Sequence, residues 1–212
     1  MSAHAQLSPS KRNRWALCPG SIREEAKYPE QDSGPAAKDG THSHTLLEHC
    51  IKSGRSADSY VGQLITDHDG SFTVDLDRAV RVQSALNYIT DASLGGVCKV
   101  VSETRVDPSF LLGRDDFSGT VDVQIIAGNT LELIDYKDGM GIVSAEGNMQ
   151  LEQYAYGVLA GYKLPVNGAY PIDYVKMTII QPKLAMRGLQ SITSHTVTVR
   201  SLLDNMGTIV AQ

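Results

Sequence analysis

The chain has 212 residues, enough for one substantial hydrophobic core, and its 42% hydrophobic content is ordinary for a globular protein. Its 19 basic and 24 acidic residues give a net charge of −5, which argues against a protein that coats nucleic acid but allows an enzyme with a local basic groove. The sequence lacks an apolar run that could cross a bilayer and the features of a signal peptide. Three widely spaced cysteines argue for a reducing compartment, so we expect a cytoplasmic protein without a membrane partner.

The N-terminal part of the chain is predicted to be helical. A short helix is predicted over about 11–18, followed by a loop over 28–40, which is rich in Pro, Gly, Asp and Ser. Two longer helices are predicted over about 41–53 and 76–94, because apolar residues recur at helical spacing and glycines follow. These elements would form a helical elaboration over about residues 1–95.

Most of the strands are predicted in the second half of the chain. In chain order they cover about 99–106, 119–126, 131–137, 174–181 and 195–199. The second and third form a hairpin around Gly128-Asn129. A helix is predicted over about 149–162, and Ser201 is predicted to cap a last one. This order predicts one α/β domain over 1–212, whose core, over about 40–200, is a central mixed sheet flanked by helices.

Two carboxylates and a lysine meet at one end of the predicted hairpin. Asp122 lies on its first strand, while Asp135 and Lys137 lie at the end of its second. Because side chains alternate along a strand, Asp135 and Lys137 face the same side. Carboxylate oxygens hold Mg2+ or Mn2+, and a lysine beside them can activate a water or stabilise a transferring phosphate. The pattern therefore predicts a metal site suited to a phosphodiester; the plainer reading is solvated carboxylates beside a lysine at a sheet edge.

These residues belong to an ordered set of motifs. In chain order the set is Gly40-Thr41-His42-Ser43-His44, Glu103, Gly119-Thr120-Val121-Asp122, Ile134-Asp135-Tyr136-Lys137 and Gln150-Leu151-Glu152-Gln153-Tyr154. With a hairpin between the acidic motifs and a helix after the second, the set resembles the PD-(D/E)XK nuclease superfamily, in its RecB-like exonuclease branch and closest to phage-encoded members. The resemblance covers roughly residues 8–181.

The resemblance implies a restriction-endonuclease-like core and a metal-dependent deoxyribonuclease. Members of this branch are often exonucleases in recombination, so we expect a role in phage DNA recombination, repair or processing, in the host cytoplasm. The partner would be DNA, and a homo-oligomer is compatible, because some members form rings around DNA. Basic residues that are candidates for phosphate contacts are Arg12, Arg14, Arg105, Arg114, Lys183 and Arg187.

The resemblance also assigns roles around the metal. Asp122 and Asp135 would coordinate one or two Mg2+ or Mn2+ ions. In this branch a histidine, here His44, adds a ligand, and the backbone carbonyl at Tyr136 commonly supplies another. Lys137 matches the catalytic lysine, which orients or activates the attacking water or stabilises the charged phosphate.

Four further residues are expected to support the site. Glu103 would be a second-metal ligand or a structural partner of Lys137 or Arg105. Gln150 would contact the scissile phosphate or the catalytic lysine, and Tyr154, one turn later on the same face, would pack or touch the DNA backbone. Glu48, four residues after His44, would orient that histidine.

The cysteines depart from one pattern of this family. In some relatives the cysteine of a Cys-Pro motif, here Cys18, is the first of four that hold an iron–sulfur cluster. No cysteine follows Gln150 here, and the others are Cys50 and Cys98. We therefore expect no cluster, and we expect Cys18 to pack in the core.

Two alternatives remain. A nuclease fold that has lost its chemistry would bind DNA or a protein partner, although the intact Asp122, Asp135 and Lys137 argue against it. A zinc site is the second alternative, and its ligands would be His42, His44, His49 and Cys50. Histidines two apart on a helix point in different directions, so zinc is less favoured, and His42 and His49 are predicted to be surface or cap residues.

Overall fold

The structure, a computed structural model, describes residues 7–28, 34–113, 116–162 and 171–207. Its α-helices are α1 Arg12–Leu17, α2 Gly20–Glu25, α3 Pro35–Ser53, α4 Leu76–Ala92, α5 Ser109–Leu112, α6 Met149–Gly161 and α7 Val199–Asp204. Its strands are β1 Leu64–Asp67, β2 Gly70–Thr73, β3 Val100–Val106, β4 Gly119–Ala127, β5 Thr130–Tyr136, β6 Tyr174–Ile180 and β7 Ile192–Thr198. Short 3-10 helices cover Pro9–Lys11, Ala57–Tyr60 and Pro182–Arg187. None of the helices in the described ranges combines the length and apolar character needed to cross a bilayer.

A mixed sheet lies at the centre of the fold. Its strand order is β3-β4-β5-β6-β7; β5 and β6 pair in parallel, and the other neighbours pair antiparallel. A parallel pair needs a crossover connection, and α6 lies within the one between β5 and β6. The predicted α/β fold with a central mixed sheet flanked by helices is therefore confirmed.

Apolar side chains cover both faces of this sheet. On one face, Leu151 of α6 belongs to the same buried cluster as Leu131 and Leu133 of β5. On the other face, Leu46 of α3 belongs to a cluster with Ile134 of β5. Full burial of such a side chain stabilises the fold by about 1.5–3 kcal/mol. The two clusters hold β5 between α6 and α3, and this places the end of β5 among residues from both helices.

The side chains of β4 change from one face of the sheet to the other at Asp122. In a regular strand Val121 and Val123 would point to the same side. Here Val121 belongs to the cluster with α6, whereas Val123 belongs to the cluster with α3 and α4. The register pairs Ser102 with Val123 and Thr104 with Val121, and it leaves Glu103 and Asp122 between them unpaired. Glu103 has a φ of +46°, a conformation that costs a residue with a side chain about 1–3 kcal/mol. The candidate ligands Glu103 and Asp122 thus lie where the pairing of β3 with β4 is distorted.

Two local predictions differ from the structure, and one hairpin was not predicted. Helix α3 begins at Pro35, so the loop prediction over 28–40 is wrong for 35–40; proline at the first helical position loses no hydrogen bond there. The last helix begins at Val199, and Thr198 rather than Ser201 caps it, through the Ser201 N–H. The β1–β2 hairpin was not predicted, because its strands have four residues each.

Candidate active site

Three side chains from different elements converge at the distorted part of the β3–β4 pair. His44 of α3, Glu103 of β3 and Asp122 of β4 each offer a ligand atom, and these atoms all lie within 4.8 Å of one another. Within this set, His44 Nδ1 lies 3.5 Å from Asp122 Oδ2. The His44 ring packs edge-on against Tyr136, with centroids 5.3 Å apart, which fixes the plane of the imidazole. We call His44, Glu103 and Asp122 the metal group.

Electrostatics in the metal group favour a cation. Glu103 is exposed at its side chain, but its carboxyl is partly enclosed by protein. This desolvation, together with the negative charge of Asp122, raises the pKa of Glu103 to about 7. A divalent cation between the two carboxylates would remove this repulsion. One imidazole nitrogen and two carboxylates are a donor set that fits such an ion.

Asp122 is held in place by the neighbouring strand. Its Oδ2 accepts a hydrogen bond of 2.8 Å from the backbone N–H of Tyr136. The paired register of β4 and β5 ends at Val123 and Ile134, so the Asp122 side chain continues the contact between the strands past that pair. The carboxylate is therefore fixed by the end of the strand that carries Asp135.

A second network lies on the α6 side of β5. Asp135 is only 2% exposed, and its Oδ1 accepts hydrogen bonds from Lys137 Nζ at 3.0 Å and Gln150 Nε2 at 2.9 Å. Lys137 Nζ also donates to Gln150 Oε1 at 3.0 Å, which closes a triangle. Asn148 caps α6 through the N–H of Leu151 and so fixes the turn that carries Gln150.

The environment of Asp135 disfavours its negative charge. Burial raises the pKa of Asp135, against the opposing effect of Lys137, and the charge of Asp122 adds to the increase. Its Oδ2 forms an ion pair with Lys137 Nζ at 2.9 Å, but among the described residues no well-directed donor makes a hydrogen bond to this buried oxygen. Asp135 Oδ2 is not among the ligand atoms of the metal group, but a carboxylate oxygen without a directed donor suits a cation ligand.

A protein-family model described as "Protein of unknown function (DUF2800)" matches residues 4–211. The chain belongs to this family. The match includes every residue of the metal group and of the triangle formed by Asp135, Lys137 and Gln150. The candidate active site thus lies wholly inside the DUF2800 domain.

Most of the predicted site residues lie in one of these two networks. Tyr154 extends the triangle, because its hydroxyl accepts from Gln150 Nε2 at 3.1 Å. Burial raises its pKa, and the side chain is only 5% exposed, which fits the packing alternative. Among the described residues, Glu48 forms an ion pair with Lys52, and His44 lies beside the carboxylate of Asp122. The predicted contact between Glu48 and His44 is therefore not seen.

Other expectations are corrected. His42 is not a surface residue, because its side chain is 15% exposed and its ring stacks on Phe72 at 4.2 Å. Cys18 is exposed, since it follows the short helix α1, and it does not pack in the core. Among the described residues, the group that could hold a metal joins His44 to carboxylates and not to the cysteine and histidines of the zinc alternative.

The basic candidates fall into buried and exposed sets. Arg12 is 4% exposed and donates to the Met149 carbonyl oxygen at 2.7 Å, so it serves the fold and not phosphate binding. Lys183 forms ion pairs with the carboxylates of Asp39 and Asp138. The exposed candidates are Arg14, Arg105 and Arg187. Arg114 lies outside the described residues.

Sequence reasoning missed a buried ion cluster directly beside the site. We call it the Asp138 cluster, and its members are Asp39, Ser43, Arg78, Arg81, Asp138 and Lys183. One signal was available: Arg78 and Arg81 share the face of α4 that buries Val82 and Ala85. Charged side chains on an apolar face require buried partners, so they predict acidic residues across the interface.

Proposed function

We propose that the protein is a metal-dependent deoxyribonuclease that hydrolyses phosphodiester bonds on a PD-(D/E)XK core. The observation that carries this proposal is the convergence of two networks at one sheet end. The metal group supplies ligands for a cation, and the triangle formed by Asp135, Lys137 and Gln150 supplies a buried carboxylate with an aligned ammonium. A phosphodiester needs both, because negative charge accumulates on its oxygens in the transition state.

The connectivity supports a restriction-endonuclease-like core. The antiparallel β3–β4–β5 unit carries the acidic residues, and α6 follows before the chain returns as β6, parallel to β5. Gln150 on α6 closes on Asp135 and Lys137. The order of motifs and their convergence thus agree with the resemblance seen in the sequence.

The metal group would hold Mg2+ or Mn2+, and Asp135 Oδ2, which lacks a directed hydrogen bond among the described residues, would add a further ligand. A cation bound there would polarise the phosphate and lower the pKa of a bound water. Lys137 has a separate role. An ammonium carries three N–H groups, and two of them donate to Asp135 and Gln150. The third remains for the attacking water or a phosphate oxygen, and the two bonds fix where it points.

The proposed biological role follows the resemblance. We infer an exonuclease that acts in phage DNA recombination, repair or processing. The exposed Arg105 lies two residues after Glu103, on the strand that carries this ligand, and donates to Ser118 Oγ at 2.8 Å. It is the candidate for a phosphate contact nearest in sequence to the metal group.

The test is a nuclease assay on end-labelled linear DNA and on closed circular DNA. It uses Mg2+, Mn2+ or EDTA, with the wild type beside Asp122→Asn and Lys137→Met. Lys27→Met is the matched control, because Lys27 is an exposed lysine that donates hydrogen bonds to Glu24 on α2. We expect metal-dependent loss of linear DNA by the wild type and the control and at least about a hundredfold loss of rate in the site variants.

Sparing of circles would assign exonuclease activity, and their cleavage would assign endonuclease activity. A wild type that is inert with either metal on both substrates would refute the catalytic proposal. Equal rates for Lys137→Met and Lys27→Met would refute the role given to Lys137.

A further inference from the structure

The Asp138 cluster is centred on a carboxylate that is shielded from solvent. The Asp138 side chain is 0% exposed. Arg81 donates to both of its oxygens, from Nε to Oδ1 at 3.0 Å and from Nη2 to Oδ2 at 3.1 Å. Tyr136 donates to Oδ1 through its hydroxyl at 3.3 Å, and Lys183 Nζ lies 3.3 Å from Oδ2. The charge of Asp138 is therefore compensated on several sides.

A second carboxylate extends the cluster to the start of α3. Asp39 accepts from Arg78 Nη2 at 2.5 Å and from Lys183 Nζ at 2.7 Å. Although burial opposes the charge, these hydrogen bonds lower the pKa of Asp39 to about 2, so it is ionised at neutral pH. The cluster thus joins α3, α4, the end of β5 and the 3-10 helix after β6 through charged contacts.

One hydrogen bond in this cluster links the two networks of the candidate active site. The Ser43 hydroxyl lies 2.8 Å from Asp138 Oδ2 and 3.1 Å from the Asp39 carbonyl oxygen. The carboxylate is the nearer and the charged acceptor, so the hydroxyl proton is directed to Asp138. Ser43 immediately precedes His44 of the metal group, and Asp138 immediately follows Lys137. A shift of α3 relative to β5 would therefore break this bond and move His44 away from Lys137.

Fold stability alone does not explain such a cluster. Apolar side chains of similar volume often fill a buried position with equal or greater stability than an ion pair. Directed bonds to a buried carboxylate, in contrast, are satisfied in one relative position of the elements. Ser43 is 0% exposed and also accepts from Arg78 Nε at 3.3 Å, so its hydroxyl is engaged on both sides.

We propose that Ser43, Arg81 and Asp138 are positioning residues that set the separation between the metal group and Lys137. This inference rests on the proposed function, because it requires a cation at the metal group. It goes beyond that function by assigning the geometry of the site to residues that touch neither the cation nor the phosphate.

The experiment uses titration calorimetry to compare the Mn2+ affinity of Ser43→Ala with that of Cys50→Ala. Both substitutions remove one γ atom from a buried position of α3, but Cys50 lies in the apolar cluster and takes no part in the Asp138 cluster. Thermal unfolding without metal measures the general loss of stability. We expect Ser43→Ala to weaken Mn2+ binding about tenfold, as removal of outer partners of a metal site does, and Cys50→Ala to stay within about twofold of the wild type.

Nuclease rates at saturating Mn2+ give a second readout. Ser43→Ala should lower kcat with little change in KM for DNA, because the phosphate-binding surface is untouched, whereas a purely structural defect would change neither in the folded fraction. If Ser43→Ala is unfolded at the assay temperature, Arg81→Lys replaces it. This variant keeps the cation but loses the two-pronged contact with Asp138, and the same results are expected.

The outcomes separate the two claims. Equal Mn2+ affinity and equal kcat for Ser43→Ala and Cys50→Ala would overturn the positioning role and leave the proposed function standing. A wild type that binds no Mn2+ would overturn the proposed function and this inference with it.

Discussion

Replacing Glu103 with glutamine should stabilise the metal-free protein at high pH. The pKa of Glu103 is raised from an ordinary 4.5 to about 7, first by desolvation and then by Asp122. The folded state therefore binds the Glu103 proton more tightly than the unfolded chain does. As pH rises from about 4.5 to about 7 the wild type loses stability, and above pH 7 the whole penalty is present.

The size of the penalty follows from the pKa shift. Without screening, this shift corresponds to about 3 kcal/mol at high pH. The side chain is exposed, so solvent screens the charge, and we expect about 1 kcal/mol. For a chain of this length, about 1 kcal/mol changes Tm by about 2–4 °C. Asp135 also has a raised pKa, but it is present in both proteins and cancels in the comparison.

The assay is thermal unfolding of the wild type, Glu103→Gln and Glu24→Gln between pH 4.5 and 8.5 in EDTA. Glu103→Gln should have the higher Tm at pH 8, and the difference should vanish near pH 4.5. Glu24→Gln, at an exposed position of α2, should keep the wild-type profile. With Mn2+ the order should invert, because a ligand at a hundredfold its Kd stabilises the wild type by about 2.7 kcal/mol. A Tm difference that is absent at pH 8, or the same at every pH, would refute this reasoning.

Four further substitutions have defined outcomes. Arg81→Met leaves the buried Asp138 without its two-pronged partner and should lower the free energy of unfolding by about 3–5 kcal/mol in urea titrations; a loss under 1 kcal/mol would contradict this. Gln150→Ala should reduce nuclease activity with little change in Tm. Gln153→Ala should lower the free energy of unfolding by about 1–3 kcal/mol with little change in activity, because Gln153 donates to two buried carbonyl oxygens. Tm and nuclease activity are measured for both variants, and equal effects of Gln150→Ala and Gln153→Ala would contradict the separate roles given to the two glutamines. Gly157→Ala places a methyl group 2.7 Å from a β3 valine and should destabilise the fold by about 1–3 kcal/mol, as measured by thermal unfolding; an unchanged Tm would show that α6 can shift.

The part of the site that local patterns encode was predictable. Alternation on both sides of Gly128-Asn129 fixed the β4–β5 hairpin, and with it the position of Asp122 relative to Asp135 and Lys137. Helical spacing then placed Gln150 on the helix that follows. Each of these inferences spans fewer than about thirty residues, over which hydrophobic period and turn chemistry are informative.

The remaining features depend on contacts that no local pattern carries. Ser43 and Asp138 are separated by 95 positions in the chain, and their bond exists only once α3 has docked on the sheet. The φ of +46° at Glu103 is equally hidden, because glutamate has no preference for that conformation and tertiary contacts impose it. The first turn of α3 was obscured by its composition, since proline and glycine there also favour a loop.

Several features of the site oppose the stability of the metal-free fold. Glu103 combines a left-handed backbone with a carboxylate beside Asp122. Asp135 is a buried acid, and one of its oxygens has no directed donor in the part of the chain that the structure describes. A sequence selected only for stability would replace each of them. The presence of both residues at one end of the sheet is explained if a cation binds there and offsets their negative charges. Because such a cation binds only the folded state, its binding would restore the lost stability. Under the proposed positioning role the Asp138 cluster would complement this, because the bond between Ser43 of α3 and Asp138 after β5 does not depend on a metal.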